Sequence, residues 1–283
     1  MKGICKFILL PAFLAVLSQP ASAGLREDVE CLSAPFMEGR AHASRGGVEA
    51  SAYLVRRFAG MGYAPLIMAF RTDKGVGRNI VVVHRGDTRS DKYTLVCAYY
   101  DALGCLGGAV YPGADSNASG VAVMLNLAEE LKGCGKNFVF AALDAHSEAI
   151  AGAEALAAAG DWKFSMVVNL DTIGSTLAPP NKYRPDFLIV LGGKKYEKSL
   201  EAANQESRLR LYYDYYRSAA FTDYFYKRAS DQAPFLRKGI PCLMFTSGIT
   251  MNTNKTTDSC NTLDYDILSK RGLLILKWLL ASA

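Results

Sequence analysis

Three acidic residues follow apolar runs of the sequence, and a fourth opens a turn rich in small residues. Asp101, Asp144 and Asp171 each come directly after a run of apolar, β-branched or aromatic residues. Asp115 precedes Ser-Asn-Ala-Ser-Gly. One aspartate in such a place usually caps a helix or accepts a hydrogen bond in a loop. Four carboxylates converge only where a cation or hydrogen-bond donors offset their repulsion, so the four together indicate an oxygen-lined metal site.

These aspartates can meet only if the runs before them are neighbouring strands. Short apolar runs alternate with segments of helical spacing, which is typical of β-α-β units. We therefore predict an α/β fold of three layers, with a mostly parallel mixed sheet flanked by helices. Ligands of such sheets bind beyond the carboxyl ends of the strands. The predicted strands are Asn79–His84, Tyr93–Cys97, Asn137–Leu143, Met166–Leu170, Phe187–Leu191, Leu209–Tyr213 and Cys242–Thr246. The predicted helices are Val48–Met61, Val121–Leu131, Ile150–Ala159, Tyr196–Gln205 and Asp264–Leu280.

The composition is that of a chain with a large apolar core. Of its 283 residues, 50% are hydrophobic and 21% are charged, which excludes a disordered, collagenous or coiled-coil protein. The net charge of +5 is mild and no run of five like charges occurs, so we expect no nucleic-acid partner. No segment reaches the length of about 18 apolar residues that predicts a membrane span. No repeat of fixed period interrupts residues 24–283, which we predict to form one domain.

The first 23 residues have the pattern of a secretory signal peptide. Lys2 and Lys6 precede the apolar run Phe7–Leu17, and Ala21-Ser22-Ala23 supplies a cleavage pattern of small residues. We therefore expect an exported protein, periplasmic or extracellular after cleavage. Six cysteines would remain, and their spacing selects none of the 15 ways to pair them.

The most specific motif of the sequence runs from Tyr111 to Val121 and reads Tyr-Pro-Gly-Ala-Asp-Ser-Asn-Ala-Ser-Gly-Val. It follows Ala98-Tyr-Tyr-Asp and precedes Phe140–Gly152, Asn169–Gly174 and Ser230–Phe235. In this order, the segments resemble the two-zinc aminopeptidase family of secreted exopeptidases, whose relatives include glutaminyl cyclases and the non-enzymatic transferrin receptor ectodomain. The resemblance covers nearly all of the chain after residue 23 and implies a zinc exopeptidase-like fold.

The resemblance also implies which residues would hold a metal. In that family, five side chains hold two zinc ions and a glutamate acts as general base on the bridging water. Asp115 and Asp171 keep two of the ligand positions, and Asp101 matches the aspartate that orients a histidine ligand. The other positions are changed and carry, in chain order, Tyr99, His146 at the general-base position, Ser147 and Asn254.

These changes predict the loss of zinc and of hydrolysis. Zinc binds imidazole, thiolate or carboxylate, whereas Tyr99 would first have to lose a proton with a pKa of about 10. Ser147 and Asn254 are weak neutral donors. Loss of the general base removes a further factor of about 10² to 10⁴ in rate. An alignment shifted by one residue would bring Glu148 to a ligand position but would restore none of the others. We therefore expect no cofactor, with zinc as the alternative.

Three functions remain open from the sequence. The favoured one is an exported, non-hydrolytic protein that binds a peptide N-terminus or a small-molecule ligand in the former active-site cleft. Its expected binding residues are Tyr99, Asp115, Asp171, Tyr224 and Tyr226. The second is an active metallo-aminopeptidase that uses Asp115, Asp171, Glu148 and a further donor. The third is a partner-binding module whose cleft is filled by Tyr99.

Overall fold

A computed structural model describes residues 24–282 of the chain, so the predicted signal peptide, residues 1–23, lies outside the described residues. The strands are β1 Leu66–Thr72, β2 Gly75–His84, β3 Lys92–Tyr99, β4 Gly104–Leu106, β5 Ala109–Tyr111, β6 Phe138–Leu143, β7 Lys163–Leu170, β8 Phe187–Leu191, β9 Arg210–Tyr212 and β10 Cys242–Thr246. The α-helices are α1 Leu25–Leu32, α2 Arg45–Gly60, α3 Ser119–Glu130, α4 Ala151–Ala159, α5 Glu197–Ala203, α6 Ala219–Tyr224, α7 Ala233–Arg237 and α8 Tyr265–Ala281.

Eight of these strands form one mixed sheet in the order β1-β2-β6-β3-β7-β10-β8-β9. The central strands β6, β3, β7 and β10 are parallel. Strands β1 and β2 extend one side in antiparallel fashion, whereas β8 and β9 run parallel to each other and antiparallel to β10. The amino ends of β8 and β9 therefore lie at the same edge as the carboxyl ends of the central strands. The predicted α/β fold with a mixed sheet is confirmed.

Helices cover both faces of the sheet because each central strand is apolar on both of its faces. In β3, Leu95 lies in the core shared with α4 and α7, whereas the next residue, Val96, lies in the larger core shared with α3 and α8. The same alternation recurs at Val139 and Phe140 of β6. Three layers result, as expected.

The observed elements extend or shorten the predicted ones by a few residues. Strands β8 and β10 have the predicted bounds, whereas α2 begins at Arg45, three residues before the predicted start, since Ser44 accepts a hydrogen bond from the amide of Gly47 at 3.1 Å. The sequence did not predict β1, whose side chains are half-buried or exposed at the side of the sheet.

Two further expectations concern membranes and disulfides. Among residues 24–282, no helix has the length and hydropathy needed to cross a bilayer. All six cysteines in this range carry free thiols, and Cys97 and Cys242 lie within the apolar core.

Buried Arg40 joins three segments that support the edge of the sheet. Its guanidinium donates to the carbonyl oxygens of Leu32 in α1 and Tyr100 after β3, the latter at 2.8 Å. It also donates to Pro112 and Gly113 at 2.7 and 2.9 Å, and so holds the turn before Asp115. Burial lowers the pKa of Arg40 to about 10, so the side chain stays charged at neutral pH.

We predict that Arg40→Met lowers the free energy of unfolding by about 3 kcal/mol or more, because several buried carbonyls lose their donor. Equilibrium unfolding in urea measures the change. Arg45→Met is the matched control: its side chain is 77% exposed, so we expect a change within about 0.5 kcal/mol. Equal effects of the two substitutions would contradict the role of Arg40.

Candidate active site

A cavity of about 300 Å³ lies at the edge of the sheet where the central strands end. Its polar floor comes from residues at or just after the carboxyl ends of β3, β6 and β7, and its outer wall is largely apolar. The floor residues are Tyr99, Asp101, His146, Ser147, Asp171 and Thr172. The position agrees with the rule that ligands of such sheets bind beyond the carboxyl ends of the strands.

The centre of the floor is an ion pair stacked on a phenol ring. His146 Nδ1 lies 2.8 Å from Asp231 Oδ2, and the imidazole stacks on the ring of Tyr99 with 3.7 Å between centroids. Burial works against the charged imidazole, but the charge and hydrogen bond of Asp231 outweigh it and raise the pKa of His146 to about 9. The ring is therefore an imidazolium at neutral pH.

Asp101 fixes the loop that carries His146. Its carboxylate accepts the amide of His146 at 2.8 Å and the hydroxyl of Ser147 at 2.9 Å. Burial raises the pKa of Asp101 to about 6, although the nearby charge of His146 partly offsets this effect. Asp101 thus lines the floor and supports the loop of His146 and Ser147, whereas the resemblance implied that it orients the ligand at the position of Tyr99.

Asp171 presents its carboxylate to the cavity between two hydroxyl groups. Ser230 Oγ donates to its Oδ2 at 2.5 Å, and the Tyr99 hydroxyl donates to its Oδ1 at 3.3 Å. Burial raises the pKa of Asp171 above its usual value. Burial and the charge of Asp171 also hold the pKa of Tyr99 well above 10, so the phenol stays protonated.

The structure corrects the prediction that Asp115 lines the site. Its Oδ1 accepts the amide of Gly174 at 2.7 Å and the hydroxyl of Ser119 at 3.2 Å, so the carboxylate supports the turn and does not line the cavity. The next residue, Ser116, lines the cavity and shares a hydrogen bond of 3.1 Å with the Tyr99 hydroxyl. Ser116 therefore occupies the place that the sequence analysis gave to Asp115.

The four aspartates of the sequence analysis do not converge. Asp144 turns towards His42 Nδ1, at 3.2 Å, and accepts the amide of Arg78 at 3.0 Å. Glu148, the residue of the shifted alignment, forms an ion pair with Lys74 at 2.5 Å and does not line the cavity. Of the four aspartates, only Asp101 and Asp171 reach the cavity, as His146 and Ser147 do.

A loop after β10 closes the remaining side of the floor. Asn254 lines the cavity, as the resemblance implied for a changed ligand position. Four residues later, Asp258 accepts the amides of Asp115 and Ser116 at 2.8 and 3.1 Å and so fixes the turn that aims Ser116.

The apolar wall does not include the expected binding residues Tyr224 and Tyr226. It is formed by Leu103, Tyr215, Phe225, Met244 and Ile249. Tyr224 is 54% exposed, and the hydroxyl of Tyr226 donates to the carbonyl of Cys242 at 2.8 Å, so neither of these predicted binding residues lines the cavity. Tyr215 and Phe225 stack with 4.6 Å between centroids and take that place.

The sequence analysis missed Asp231 and Ser230. Both belong to the motif Ser230–Phe235, which was used only to support the resemblance. The acidic residue of this motif could have been considered as a partner of His146. The two residues are separated by 85 positions, however, so no local sequence pattern indicates that they pair.

Comparisons with known proteins agree with this geometry. The structure resembles a zinc aminopeptidase from Bacillus subtilis, with 21% identity, a TM-score of 0.57 and 73% of this chain covered. This chain spans only 50% of that protein's length. It also resembles a glutaminyl cyclase from Porphyromonas gingivalis, with 18% identity and a TM-score of 0.69 over 90% of this chain and 96% of that chain. A glutaminyl cyclase from Fimbriiglobus ruber matches with 14% identity and a TM-score of 0.74 over 97% of this chain and 100% of that chain. These identities establish the fold alone.

A comparison with curated protein sequences finds no match. The sequence model of peptidase family M28 matches residues 79–279, which include β3 to β10, part of β2, the cavity floor and its wall. This match spans well over half of the chain, and the fold agrees with it. The chain therefore belongs to peptidase family M28.

Proposed function

We propose that this chain binds the amino end of a peptide, or a small amine, in the cavity without a metal and without hydrolysing it. The observation that carries the proposal is the ion pair of His146 with Asp231, stacked on Tyr99. The imidazolium supplies positive charge beside the buried carboxylates, so a metal ion is not needed to offset them.

The donor set around the cavity does not fit a zinc ion, which supports the proposal. Zinc takes thiolate, neutral imidazole or carboxylate ligands. The phenol of Tyr99 stays protonated, and the imidazole of His146 is held by Asp231. Within residues 24–282, no group of three or more His, Cys, Asp or Glu side chains is placed to hold a metal ion.

The charge balance of the floor favours a cationic ligand. The carboxylates of Asp101 and Asp171 line the cavity together with one imidazolium, whose charge is already paired with buried Asp231, so the ionised floor is negative overall. An ammonium group beside Asp171 would stabilise its ionised form against the cost of burial. The apolar wall would accept an apolar side chain next to that ammonium.

We also propose that the protein acts in the periplasm or outside the cell, as residues 1–23 suggest.

We predict that His146→Gln destabilises the fold in a pH-dependent way. The raised pKa of about 9 in the folded protein, against 6.5 unfolded, means that the ion pair stabilises fully below about pH 6.5. This contribution disappears as the pH rises through about 9. Urea unfolding of the unaltered chain and of the His146→Gln variant at pH 6 and pH 9.5 measures this contribution.

The substitution Asp231→Asn should lower the pKa of His146 in NMR titrations. An unchanged pKa of His146 would contradict the pairing.

We predict that the purified chain holds little zinc and releases no chromogenic amine from aminoacyl anilides, even with added zinc or cobalt.

A fourfold variant should bind zinc, since its new side chains supply ligands at cavity positions. It combines Tyr99→His, Ser116→Asp, Ser147→Glu and Asn254→His. Elemental analysis measures the zinc content of each protein, and calorimetry measures its affinity for added zinc. Tyr183→His with Asn181→His adds two imidazoles in another loop and should bind none. Stoichiometric zinc with hydrolysis by the unaltered chain would overturn the proposal and favour a metallo-aminopeptidase.

We predict that phenylalaninamide binds and that its N-acetylated form does not, because acetylation removes the ammonium group. Asp171→Asn should weaken binding roughly 10- to 100-fold, the value of a charge-assisted hydrogen bond. Isothermal titration calorimetry measures the affinities. Asp223→Asn removes an exposed carboxylate outside the cavity and should leave them unchanged. Equal binding of the acetylated compound would exclude recognition of an amino group.

A further inference from the structure

A second hollow, with a volume of about 610 Å³, opens beside the cavity and shares none of its lining residues. We call it the basic hollow, because four cationic side chains and two tyrosines line it: Lys182, Arg184, Arg210, Arg217, Tyr183 and Tyr212. It lies where the loop before β8 meets the start of β9 and the segment after it. The amino ends of β8 and β9 place it at the same edge of the sheet as the cavity.

A hydrogen bond joins the two segments that lie between the cavity and the basic hollow. The hydroxyl of Tyr216 donates to the carbonyl of Ala178 at 2.7 Å, which ties the loop before β8 to the segment after β9. Tyr215 faces the cavity, whereas Arg217, two residues later, faces the basic hollow. The two sites are thus adjacent but separate, and the inference about the hollow does not depend on the function proposed for the cavity.

Most of the positive charge in the basic hollow is not neutralised. The guanidinium of Arg184 forms a bidentate ion pair with the carboxylate of Asp186, with N–O distances of 2.9 and 2.7 Å. In the part of the chain that the structure describes, the side chains of Lys182, Arg210 and Arg217 have no ion pair. Asp214 lies nearby, but it accepts the backbone amide of Arg217 and not the guanidinium. Three cations therefore share one hollow without a direct ion pair, although Asp214 lies near Arg217 and lines a neighbouring hollow together with Arg210.

The types of side chain favour phosphate groups as the missing counter-charge. Guanidinium groups donate in a planar fork that matches the oxygens of phosphate, and lysine adds a point charge. A pyrophosphate group carries about three negative charges, as many as the three unpaired cations. Tyr183 is 77% exposed, and the ammonium of Lys182 lies over one face of its ring, 4.9 Å from the centroid, so a planar ring can stack only on the other face.

We propose that the basic hollow is a binding site for a small phosphate-bearing ligand, held by Lys182, Arg210 and Arg217. The ligand's phosphate oxygens accept from the guanidinium groups, and a ring attached to the phosphates lies against Tyr183. The net charge of +5 for the whole chain does not predict this site, because the 32 basic residues are nearly matched by 27 acidic residues.

Calorimetric titration of the full chain with pyrophosphate, ADP and citrate in 50 and 150 mM NaCl tests the proposal. We expect pyrophosphate and ADP to bind, with weaker binding at the higher salt concentration. Arg210→Gln with Arg217→Gln should weaken binding at least tenfold. Tighter binding of ADP than of pyrophosphate would assign a role to the ring, and equal binding would assign the site to phosphate alone.

Two controls separate this site from general charge attraction. Arg89→Gln with Lys92→Gln removes two exposed cations at the opposite edge of the sheet and should leave pyrophosphate binding unchanged. Asp171→Asn, which alters the cavity, should also leave it unchanged. The proposal is overturned if no phosphate compound binds, if citrate binds more tightly than pyrophosphate, or if both arginine-containing double variants lose binding equally.

Discussion

Carboxylates buried at one edge of a sheet must be offset by positive charge or by hydrogen-bond donors, and this requirement governs the site. Desolvation of a carboxylate raises its pKa, and a second carboxylate nearby raises it further. Here the protein supplies its own offset: the imidazolium of His146 lies against Asp231, and hydroxyl groups donate to Asp101 and Asp171. The imidazole also stacks on the ring of Tyr99, with 3.7 Å between centroids.

The same requirement explains the supports beneath the floor. Arg40 is a buried cation surrounded by carbonyl oxygens, and the charge of Asp258 across the turn favours its protonated form. Asp258 in turn holds the amides of Asp115 and Ser116. The turn before α3 is thus fixed from two sides, which aims the Ser116 hydroxyl into the cavity and the Asp115 carboxylate away from it. The cavity floor depends on this orientation as much as on the residues that line it.

The sequence was sufficient for the sheet and its flanking helices, because strands buried on both faces are continuous apolar runs. It did not identify β1 on the side of the sheet, although this strand begins with five apolar residues, Leu66–Phe70, because their partial burial depends on the position of the strand in the sheet. At the site, the resemblance to the aminopeptidase family implied His146, Ser147, Asp171 and Asn254 as neighbours, and all four line one cavity. It could not tell whether Asp115 or Ser116 faces that cavity, since two adjacent residues of one turn differ only in direction. Nor could it pair His146 with Asp231, because no local pattern links residues so far apart.

Membership of a peptidase family is compatible with the proposed binding role without hydrolysis, because the fold and the site depend on different residues. The strands of this family create a cavity at their carboxyl ends whatever side chains follow them. Apolar residues such as Leu95 and Val96 build that scaffold and lie in its two cores. The floor can therefore carry Tyr99 where the resemblance implies a ligand, and His146 where it implies the general base, without disturbing the sheet, provided that the charge of the remaining aspartates is still offset. An imidazolium satisfies that condition, and it leaves the cavity open to an amine.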